Sequence, residues 1–392
     1  MMLPQKATQQ LTKQHNRDLV LKTIIESQET SRAEIARATK LTRTTVSDVV
    51  AGLMEEGLVQ EIGMSTSLGG KPSILLSLVP EARYLIGLNL AQDKFVGAVV
   101  NLRGEIKETI EMPVHGEDGQ QALDLVYAIL DQLTGSEWKP LIGIGVGAPG
   151  LINTREGIVI NAVNLEWQDL PLAKLLQQRY HLPVSVMNDS QATAIGEFVY
   201  GGYNARSNLV VVNVTHGIGS GILIGGKLFQ GDGGGAGEIG HVLVFDNHRL
   251  CRCGRTGCLE TLASAQAVAQ RLREESGAAE ILDIDEIGHK FAQGDPLTRK
   301  IVLEAGQHLG VALGNMVGML NIKNIIVTGT MTRFGQPWLE AIRQAMRQSA
   351  LAGMTQETKI EPGKLDYRAC ILGASAHLLM DDYALLFSSS EN

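Results

Sequence analysis

Strand-like and helix-like segments alternate over most of the chain, and this alternation restricts the fold more than any other feature. From Tyr84 onward, apolar runs such as LIGIGVGAPG (141–150) are separated by helical patterns. Strands that alternate with helices indicate an α/β sheet. The chain has 392 residues, too many for one ordinary domain. We therefore predict two α/β units, residues 83–200 and 201–370, and a last helical segment, 371–387, that packs back on the first unit.

The first 82 residues follow a different pattern. Residues 1–14 are rich in Gln and Thr, and we expect a mobile arm there. Three short helical patterns follow; the second opens with a capping box of Ser31 and Glu34, and the third begins after Thr42. Two strand-like runs, LVQEI and SILLSLV, complete this part. Three helices and a hairpin are the plan of a winged helix-turn-helix, so we predict such a domain over residues 1–82.

The net charge differs between the two parts. The whole chain carries −8, which argues against a protein coated with nucleic acid over its entire surface. Residues 1–72 contain nine Lys and Arg against eight Asp and Glu, whereas the remainder contains 25 against 34. The N-terminal part is therefore the part that can approach a polyanion.

The third helical pattern offers the candidate DNA-reading side chains. We expect its outward face to reach base edges or phosphates in the major groove, and the hairpin tip to contact the DNA backbone or the minor groove. The candidates are Arg43, Thr44, Thr45 and Ser47 of the helix and Lys71 of the tip. A protein-interaction module with the same core is the alternative. Lys40 also occupies a turn position where Gly is usual. The charge asymmetry and the wing tip favour DNA binding.

Targeting signals are not evident in the sequence. No run of 18 uninterrupted apolar residues occurs, and the N-terminus lacks the apolar core of a signal peptide. Three of the four cysteines fall within eight residues, which is not a disulfide framework. We expect a cytoplasmic protein with no membrane partner.

The cysteine-rich run HVLVFDNHRLCRCGRTGCLE indicates a metal site. Cys251, Cys253 and Cys258 supply three thiolates, and His241 or His248 supplies an imidazole. Such a set forms a closed tetrahedral Zn²⁺ site, which leaves no position for a catalytic water, so a structural role follows. Three buried free cysteines are the alternative, and their clustering disfavours it.

Several polar groups outside the cysteine run predict a second site. The motif GAGEIGHV spaces Glu238 and His241 three residues apart, Asn188 and Asp189 follow a strand, and Glu260 follows the cysteines. Carboxylates and amides accept or donate hydrogen bonds in fixed directions, as recognition of sugar hydroxyls requires. Each residue alone would suit a surface or a helix cap. Together they predict a sugar pocket.

From about Asn16 to its end, the sequence resembles the ROK family of repressors, open reading frames and sugar kinases. The most specific matches are GEIGHV (237–242) and CRCGRTGCLE (251–260). The stretch SRAEIARATKLTRTTVSDVVAGLMEEGLVQEIG resembles the DNA-binding segment of xylose-repressor and Mlc-type members. The resemblance implies a two-domain body of the actin/hexokinase type, which is ribonuclease-H-like, behind a winged helix-turn-helix.

The same resemblance implies roles for individual residues. The zinc ligands it implies are His241, Cys251, Cys253 and Cys258. The sugar-site positions it implies are Gly150, Asn188, Asp189, Glu238, His241 and Glu260. His241 would then place one ring nitrogen on zinc and offer the other to a sugar hydroxyl.

The kinase motif of the family is degraded in this sequence. Family kinases open the body with Asp-x-Gly-Gly-Thr, and those positions here hold Asn89, Ala91, Gln92 and Asp93. A negative charge at Asp93 would repel phosphates. The loop THGIGSG (215–221) still resembles a second phosphate loop, and Gly329-Thr330 replaces a Gly-Gly pair. A glycine-rich loop alone is weak evidence for a nucleotide, so we do not expect an enzyme.

These inferences predict a transcriptional repressor of carbohydrate-utilisation genes. We expect it to bind operator DNA as a homodimer or homotetramer and to respond to a sugar between its two units. A free monosaccharide is favoured over a sugar phosphate. The first alternative is an ATP-dependent sugar kinase with an attached DNA-binding domain, in which Asp189 is the base. The second is a regulator that a partner protein controls.

Overall fold

The computed structural model describes residues 9–65, 72–203, 206, 208–277 and 281–380. Lys71 and the predicted helical residues 381–387 lie outside that set. Helices and strands are mixed throughout, so the predicted α/β class is confirmed. Among the described residues, no helix combines the length and apolar character that a membrane crossing requires.

Three helices and a small antiparallel sheet form the N-terminal part, here called the head. Its sheet has the order β1-β3-β2, and its elements follow the predicted order of three helices and a hairpin. Their bounds are α1 Gln9–Ser27, β1 Thr30–Ser31, α2 Arg32–Thr39, α3 Arg43–Glu55, β2 Val59–Met64 and β3 Ile74–Leu78. The mobile arm predicted over residues 1–14 is wrong from Gln9 onward, because α1 already begins there.

Side-chain caps define the helix boundaries of the head. The predicted capping box is present: the Ser31 backbone N–H donates to Glu34 Oε2 at 2.8 Å, and the Glu34 N–H donates to Ser31 Oγ at 3.3 Å. Thr42 Oγ1 accepts from the Thr45 N–H at 3.1 Å. Lys40 adopts a left-handed φ of 60°, so the turn forms without Gly at a cost of about 1 kcal/mol.

The first unit contains a five-stranded sheet in the order β11-β7-β4-β5-β6 and a three-stranded sheet in the order β10-β9-β8. Its strands are β4 Tyr84–Leu90, β5 Lys94–Asn101, β6 Ile106–Pro113, β7 Leu141–Ala148, β8 Leu151–Asn153, β9 Ile158–Ala162, β10 Trp167–Leu170 and β11 Val184–Asn188. Its helices are α4 Gly119–Thr134, α5 Leu172–Tyr180 and α6 Asp189–Tyr200.

The second unit contains one five-stranded sheet in the order β14-β13-β12-β15-β16. Its strands are β12 Leu209–Val214, β13 Ile218–Ile224, β14 Lys227–Phe229, β15 Asn324–Thr328 and β16 Lys359–Pro362. Its helices are α7 Glu260–Ala263, α8 Ala265–Ser276, α9 Ile284–Ala292, α10 Pro296–Leu320, α11 Gly335–Ser349 and α12 Ala352–Thr355.

The two large sheets share one plan. In each, three consecutive strands form an antiparallel meander, and two later strands add in parallel beside the first strand of that meander. The meander that the sequence predicts after Tyr84 is β4, β5 and β6. A repeated plan of this kind places the ends of β11 in one unit and of β12 in the other beside a common cleft.

The last described helix, α13 (Arg368–Met380), lies against the sheet and the last helix of the first unit. Its backbone approaches so closely that a Cβ on Gly145 would lie 2.0 Å from the Ala374 carbonyl oxygen. A Cβ on Gly373 of α13 would lie 1.8 Å from the Ala192 oxygen of α6. Only glycine fits these positions. The domain boundaries predicted from the sequence stay predictions.

The head and the first unit share one hydrophobic cluster. Near it, Arg103 of the first unit donates to the Gln28 carbonyl at 3.0 Å and to Ser77 Oγ at 2.9 Å. The last turn of α13 contributes Leu378 and Leu379. The buried members include Val50, Leu53 and Leu76 of the head and Leu85, Leu102 and Ile142 of the first unit.

Candidate functional site

A cavity of about 890 Å³ lies between the two units. The β4–β5 loop and the start of α6 line one wall, and the β12–β13 loop and the start of α7 line the other. The cavity brings together all six positions that the resemblance assigned to a sugar. They are Gly150, Asn188, Asp189, Glu238, His241 and Glu260.

Asn188 is oriented by the helix that it caps. Its Oδ1 accepts from the backbone N–H groups of Ser190 at 2.9 Å and Gln191 at 3.2 Å. Its Nδ2 donates to the Gly150 carbonyl at 3.0 Å. Gly150 has a φ of 88°, and a Cβ there would lie 2.1 Å from the Asn161 carbonyl oxygen. A cap and a glycine turn therefore set this wall of the cavity.

Two carboxyl groups in the cavity have raised pKa values. Burial raises the pKa of Asp189, and hydrogen bonds from Ser190 together with the charge of Arg252 oppose that rise. Burial raises the pKa of Glu238 to about 7, and the negative charges of Asp189 and Glu260 add to the effect. A site that holds three acidic groups together favours neutral, hydroxyl-rich ligands over anions.

Hydrogen bonds from Ile218 and Arg252 hold Glu260 at the start of α7. Its Oε2 accepts from the buried Ile218 N–H at 3.0 Å. Arg252 donates to it through Nε at 3.0 Å and through a terminal nitrogen at 3.2 Å. Sequence reasoning missed Arg252. Its position between two predicted metal ligands, Cys251 and Cys253, was the available signal.

The predicted metal ligands converge as well. Their four ligand atoms all lie within 4.8 Å of one another. Cys251 Sγ lies 3.8 Å from His241 Nδ1, and Cys253 Sγ lies 3.6 Å from Cys258 Sγ. A tetrahedral Zn²⁺ site with ordinary bond lengths has edges of ~3.6–3.8 Å. The residues therefore fit a tetrahedral metal ion.

His241 belongs to both sites. Nδ1 faces the cysteines, while Nε2 lies 3.8 Å from Glu238 Oε2. His248, the alternative ligand, is not in the cluster found among the described residues; it lines a separate groove beside Phe245.

The four positions at which the sequence predicts a degraded kinase motif also line the cavity: Asn89, Ala91, Gln92 and Asp93. In the opposite loop, a Cβ on Gly217 would lie 2.5 Å from Glu260 Oε2 and 2.6 Å from a terminal nitrogen of Arg252. A Cβ on Gly219 would lie 2.3 Å from Ser190 Oγ. Packing therefore accounts for these glycines without a phosphate.

The head presents most of its predicted DNA-reading side chains outward. Arg43, Thr44 and Ser47 are exposed on α3, whereas the opposite face of the helix is buried. Thr45 is half-buried, and its hydroxyl lies 2.8 Å from the Thr42 hydroxyl. Lys71 lies outside the described residues.

Comparisons with known proteins agree with this geometry. The model of the ROK family matches residues 85–381. A xylose repressor from Caldicellulosiruptor bescii is 33% identical over 387 residues, covering 95% of this chain and 97% of the relative. The transcriptional dual regulator NagC of Escherichia coli is 28% identical over 374 residues, covering 92% and 91% of the two chains.

Solved structures support the fold. A ROK-family transcriptional regulator, described as a homolog of the E. coli MLC protein, matches with a TM-score of 0.81 and 26% identity over 93% of this chain and 95% of that one. A Streptomyces griseus ROK glucokinase in complex with glucose and AMPPNP matches with a TM-score of 0.68 and 27% identity over 75% and 98%. These likenesses confirm the predicted actin/hexokinase-type body. The chain therefore belongs to the ROK family and, within it, to the branch of transcriptional regulators that includes the xylose repressors.

Proposed function

We propose that this chain is a cytoplasmic, DNA-binding transcriptional repressor of carbohydrate-utilisation genes whose operator affinity changes when a sugar occupies the cavity. One observation carries the proposal: a cavity with six convergent sugar-type positions and a head with an exposed helix face lie in the same chain. The similarity to named repressors over almost its full length supports the same assignment.

The exposed face of α3 is the proposed DNA-reading surface. Arg43, Thr44 and Ser47 point away from the head core. Thr42 caps the helix, and the free N–H groups of its first turn suit a phosphate. A homodimer would present two such helices to successive major grooves of a two-fold operator.

The sugar proposed for the cavity is a free monosaccharide. Asp189, Glu238 and Glu260 offer acceptors for hydroxyl groups, and Asn188 holds the Gly150 turn against them. Their negative charge disfavours a phosphate on the ligand.

We assign a structural Zn²⁺ ion to the His241 and cysteine cluster. The ion would supply rigidity and no reaction step. The chain's own contribution is His241, whose Nδ1 faces the cysteines and whose Nε2 faces the cavity. A metal ion held at Nδ1 would leave Nε2 as the nitrogen that carries the proton, so Nε2 would be free to donate to a sugar oxygen.

Helix α13 is the proposed connection between sugar and DNA. Tyr367, just before the helix, and Cys370, in its first turn, line the cavity. Leu378 and Leu379, near its end, pack against the hydrophobic cluster of the head. A sugar that changes the width of the cavity therefore acts on a helix that contacts the head, provided that it binds one arrangement better than the other.

The kinase alternative has one specific observation in its favour. Asp189 is half-buried at the cavity wall, where a catalytic base would stand, and a Halalkalibacterium halodurans glucokinase is 31% identical over 74% of this chain. The side chains of Ala91, Gln92 and Asp93 oppose it, because they fill a position where a kinase needs a bare backbone. For the second alternative, a regulator that a partner protein controls, the sequence offers no motif in support.

Operator binding tests the main proposal. A duplex selected on the protein from a random library is titrated at fixed salt, because phosphate contacts dominate the affinity. D-xylose, D-glucose, N-acetyl-D-glucosamine and their phosphates are added in turn. We expect one free sugar to change the affinity at least fivefold.

Two outcomes oppose the proposal. If the affinity for the duplex is the same with and without every sugar in the panel, the protein does not respond to sugar. ATP-dependent phosphorylation of any sugar in the panel, abolished in Asp189→Asn, favours the kinase.

A further inference from the structure

One guanidinium group joins the two walls of the cavity. Arg252 donates to Glu260 of the second unit through Nε at 3.0 Å and a terminal nitrogen at 3.2 Å. Its other terminal nitrogen donates across the cleft to Asn164 Oδ1 at 2.8 Å and, at 3.4 Å, to Gln92 Oε1. Asn164 and Gln92 belong to the first unit.

The surroundings of Arg252 are built to hold this position. Its neighbours in the chain, Cys251 and Cys253, both belong to the metal cluster, so the cluster fixes its backbone. The lack of a side chain at Gly217 makes room for the guanidinium group, because a Cβ on Gly217 would lie 2.6 Å from a terminal nitrogen of Arg252. The Glu260 side chain is only 9% exposed, which makes this pair stronger than an ordinary surface ion pair.

A neighbouring arginine provides a contrast. Arg249 also forms a two-pronged pair, with Glu274 at 2.6 and 3.4 Å. That pair lies within the second unit, away from the cavity, and both side chains are more than a third exposed.

We propose that Arg252 is a positioning residue for the sugar site. It orients the Glu260 carboxylate and holds the two walls of the cavity at one separation. The part concerning sugar rests on the proposed function, whereas the contact across the cleft does not. When a site must first reach its binding-competent arrangement, its affinity falls with the fraction of molecules in that arrangement. Loss of Arg252 therefore weakens sugar binding without removing any hydroxyl acceptor.

Calorimetric titration with D-xylose, D-glucose and N-acetyl-D-glucosamine tests this role. For each sugar that binds the wild type, we expect Arg252→Met to raise Kd about tenfold or more, the scale of one lost charge-assisted hydrogen bond. Asn164→Leu is expected to raise it less, and the matched control Arg249→Met to leave it unchanged. The effects of Arg252→Met and Asn164→Leu should be non-additive, since both remove one bridge. An unchanged Kd in Arg252→Met, or strictly additive effects, would overturn the proposal.

Hydrogen exchange of the sugar-free protein separates this inference from the proposed function. We expect Arg252→Met and Asn164→Leu to speed amide exchange in residues 161–167 and 89–93, with Arg249→Met equal to wild type. If no sugar binds the wild type, the proposal of a sugar site fails, but hydrogen exchange still tests whether Arg252 holds the two walls together. Wild-type exchange rates in Arg252→Met would show that the bridge does not hold the walls.

Discussion

The two loops that face each other across the cavity differ in how tightly they are packed. The first-unit loop carries the side chains of Ala91, Gln92 and Asp93, whereas the second-unit loop carries Gly217 and Gly219. The first loop borders the open cavity and accommodates side chains. In the second loop, Cβ atoms would collide with Glu260, Arg252 and Ser190. The glycines of the second-unit loop are therefore explained by tight packing, and they are poor evidence for a bound phosphate.

The walls behind these loops also differ in what supports them. The first wall depends on backbone caps and glycine turns, such as Asn188 on α6 and its bond to Gly150. The second depends on side chains around the His241 and cysteine cluster. Removing the metal should therefore leave the first wall stable, whereas it should destabilise the second wall.

Metal removal is the largest expected effect. In the zinc-loaded protein, a chelator should remove about 4 kcal/mol of stabilisation if the free metal exceeds its Kd a thousandfold, and should lower Tm by about 10 °C. The Tm of Cys258→Ser should already be lowered without a chelator, and adding the chelator should not change it further. Cys370→Ala, which lies outside the cluster, should keep the chelator response. A wild-type Tm that does not respond to chelation would contradict the assignment.

Substitution of the tight glycine loop is expected to be the next largest effect. Gly217→Ala should destabilise the protein by about 1–3 kcal/mol, because its methyl group has no room beside Glu260 and Arg252. Urea unfolding measures the change. Gly233→Ala is the matched control, since nothing lies within 4 Å of a Cβ there. Equal stability of the two variants would mean that packing does not explain the glycine at position 217.

The half-buried carboxyl of Asp189 in the first wall gives a pH-dependent effect. Burial raises the folded-state pKa of Asp189 above its ordinary value of 3.8. The folded protein therefore holds this proton more tightly than the unfolded chain does, and the contribution of Asp189 to stability falls as pH rises through that window. Asp189→Asn should raise Tm modestly at pH 7, and its advantage should vanish below about pH 4. If the Tm advantage of Asp189→Asn grew toward acid pH instead, the pKa of Asp189 would be lowered by folding rather than raised.

Substitution in the loosely packed first-unit loop is expected to have the smallest effect on stability. Ala91→Gly and Asp93→Thr together should change the free energy of unfolding by less than about 1 kcal/mol, because both side chains border the open cavity. Urea unfolding beside Gly217→Ala measures the contrast directly. A loss as large as that of Gly217→Ala would show that the first loop is as tightly packed as the second.

Local signals in the sequence were reliable where the physics is local. Ser31 and Glu34 predicted a capping box, and Thr42 predicted a helix start, because a cap needs only residues within one turn. The arm over residues 1–14 was wrong in part, since α1 already begins at Gln9 and Gln14 bonds Asp18 one turn later. Composition was a poor guide there.

The candidate site was predictable only through its motifs. His248 competed with His241 as the fourth metal ligand, the family resemblance favoured His241, and the cluster among the described residues contains His241. Arg252 carries no pattern of its own, and its partner Asn164 is 88 residues away. Long-range partners of this kind are invisible to periodicity and capping rules.

By itself, the sequence determined the α/β class, the head of three helices and a hairpin, the cysteine cluster and the family, because these depend on periodicity, caps and closely spaced motifs. Tertiary structure alone decided which loops face each other across the cavity, which glycines have no space for a side chain, and that Arg252 bridges the two walls. The reason is physical: each of those features depends on the distance between segments far apart in the chain, and that distance is set only when the two units pack together.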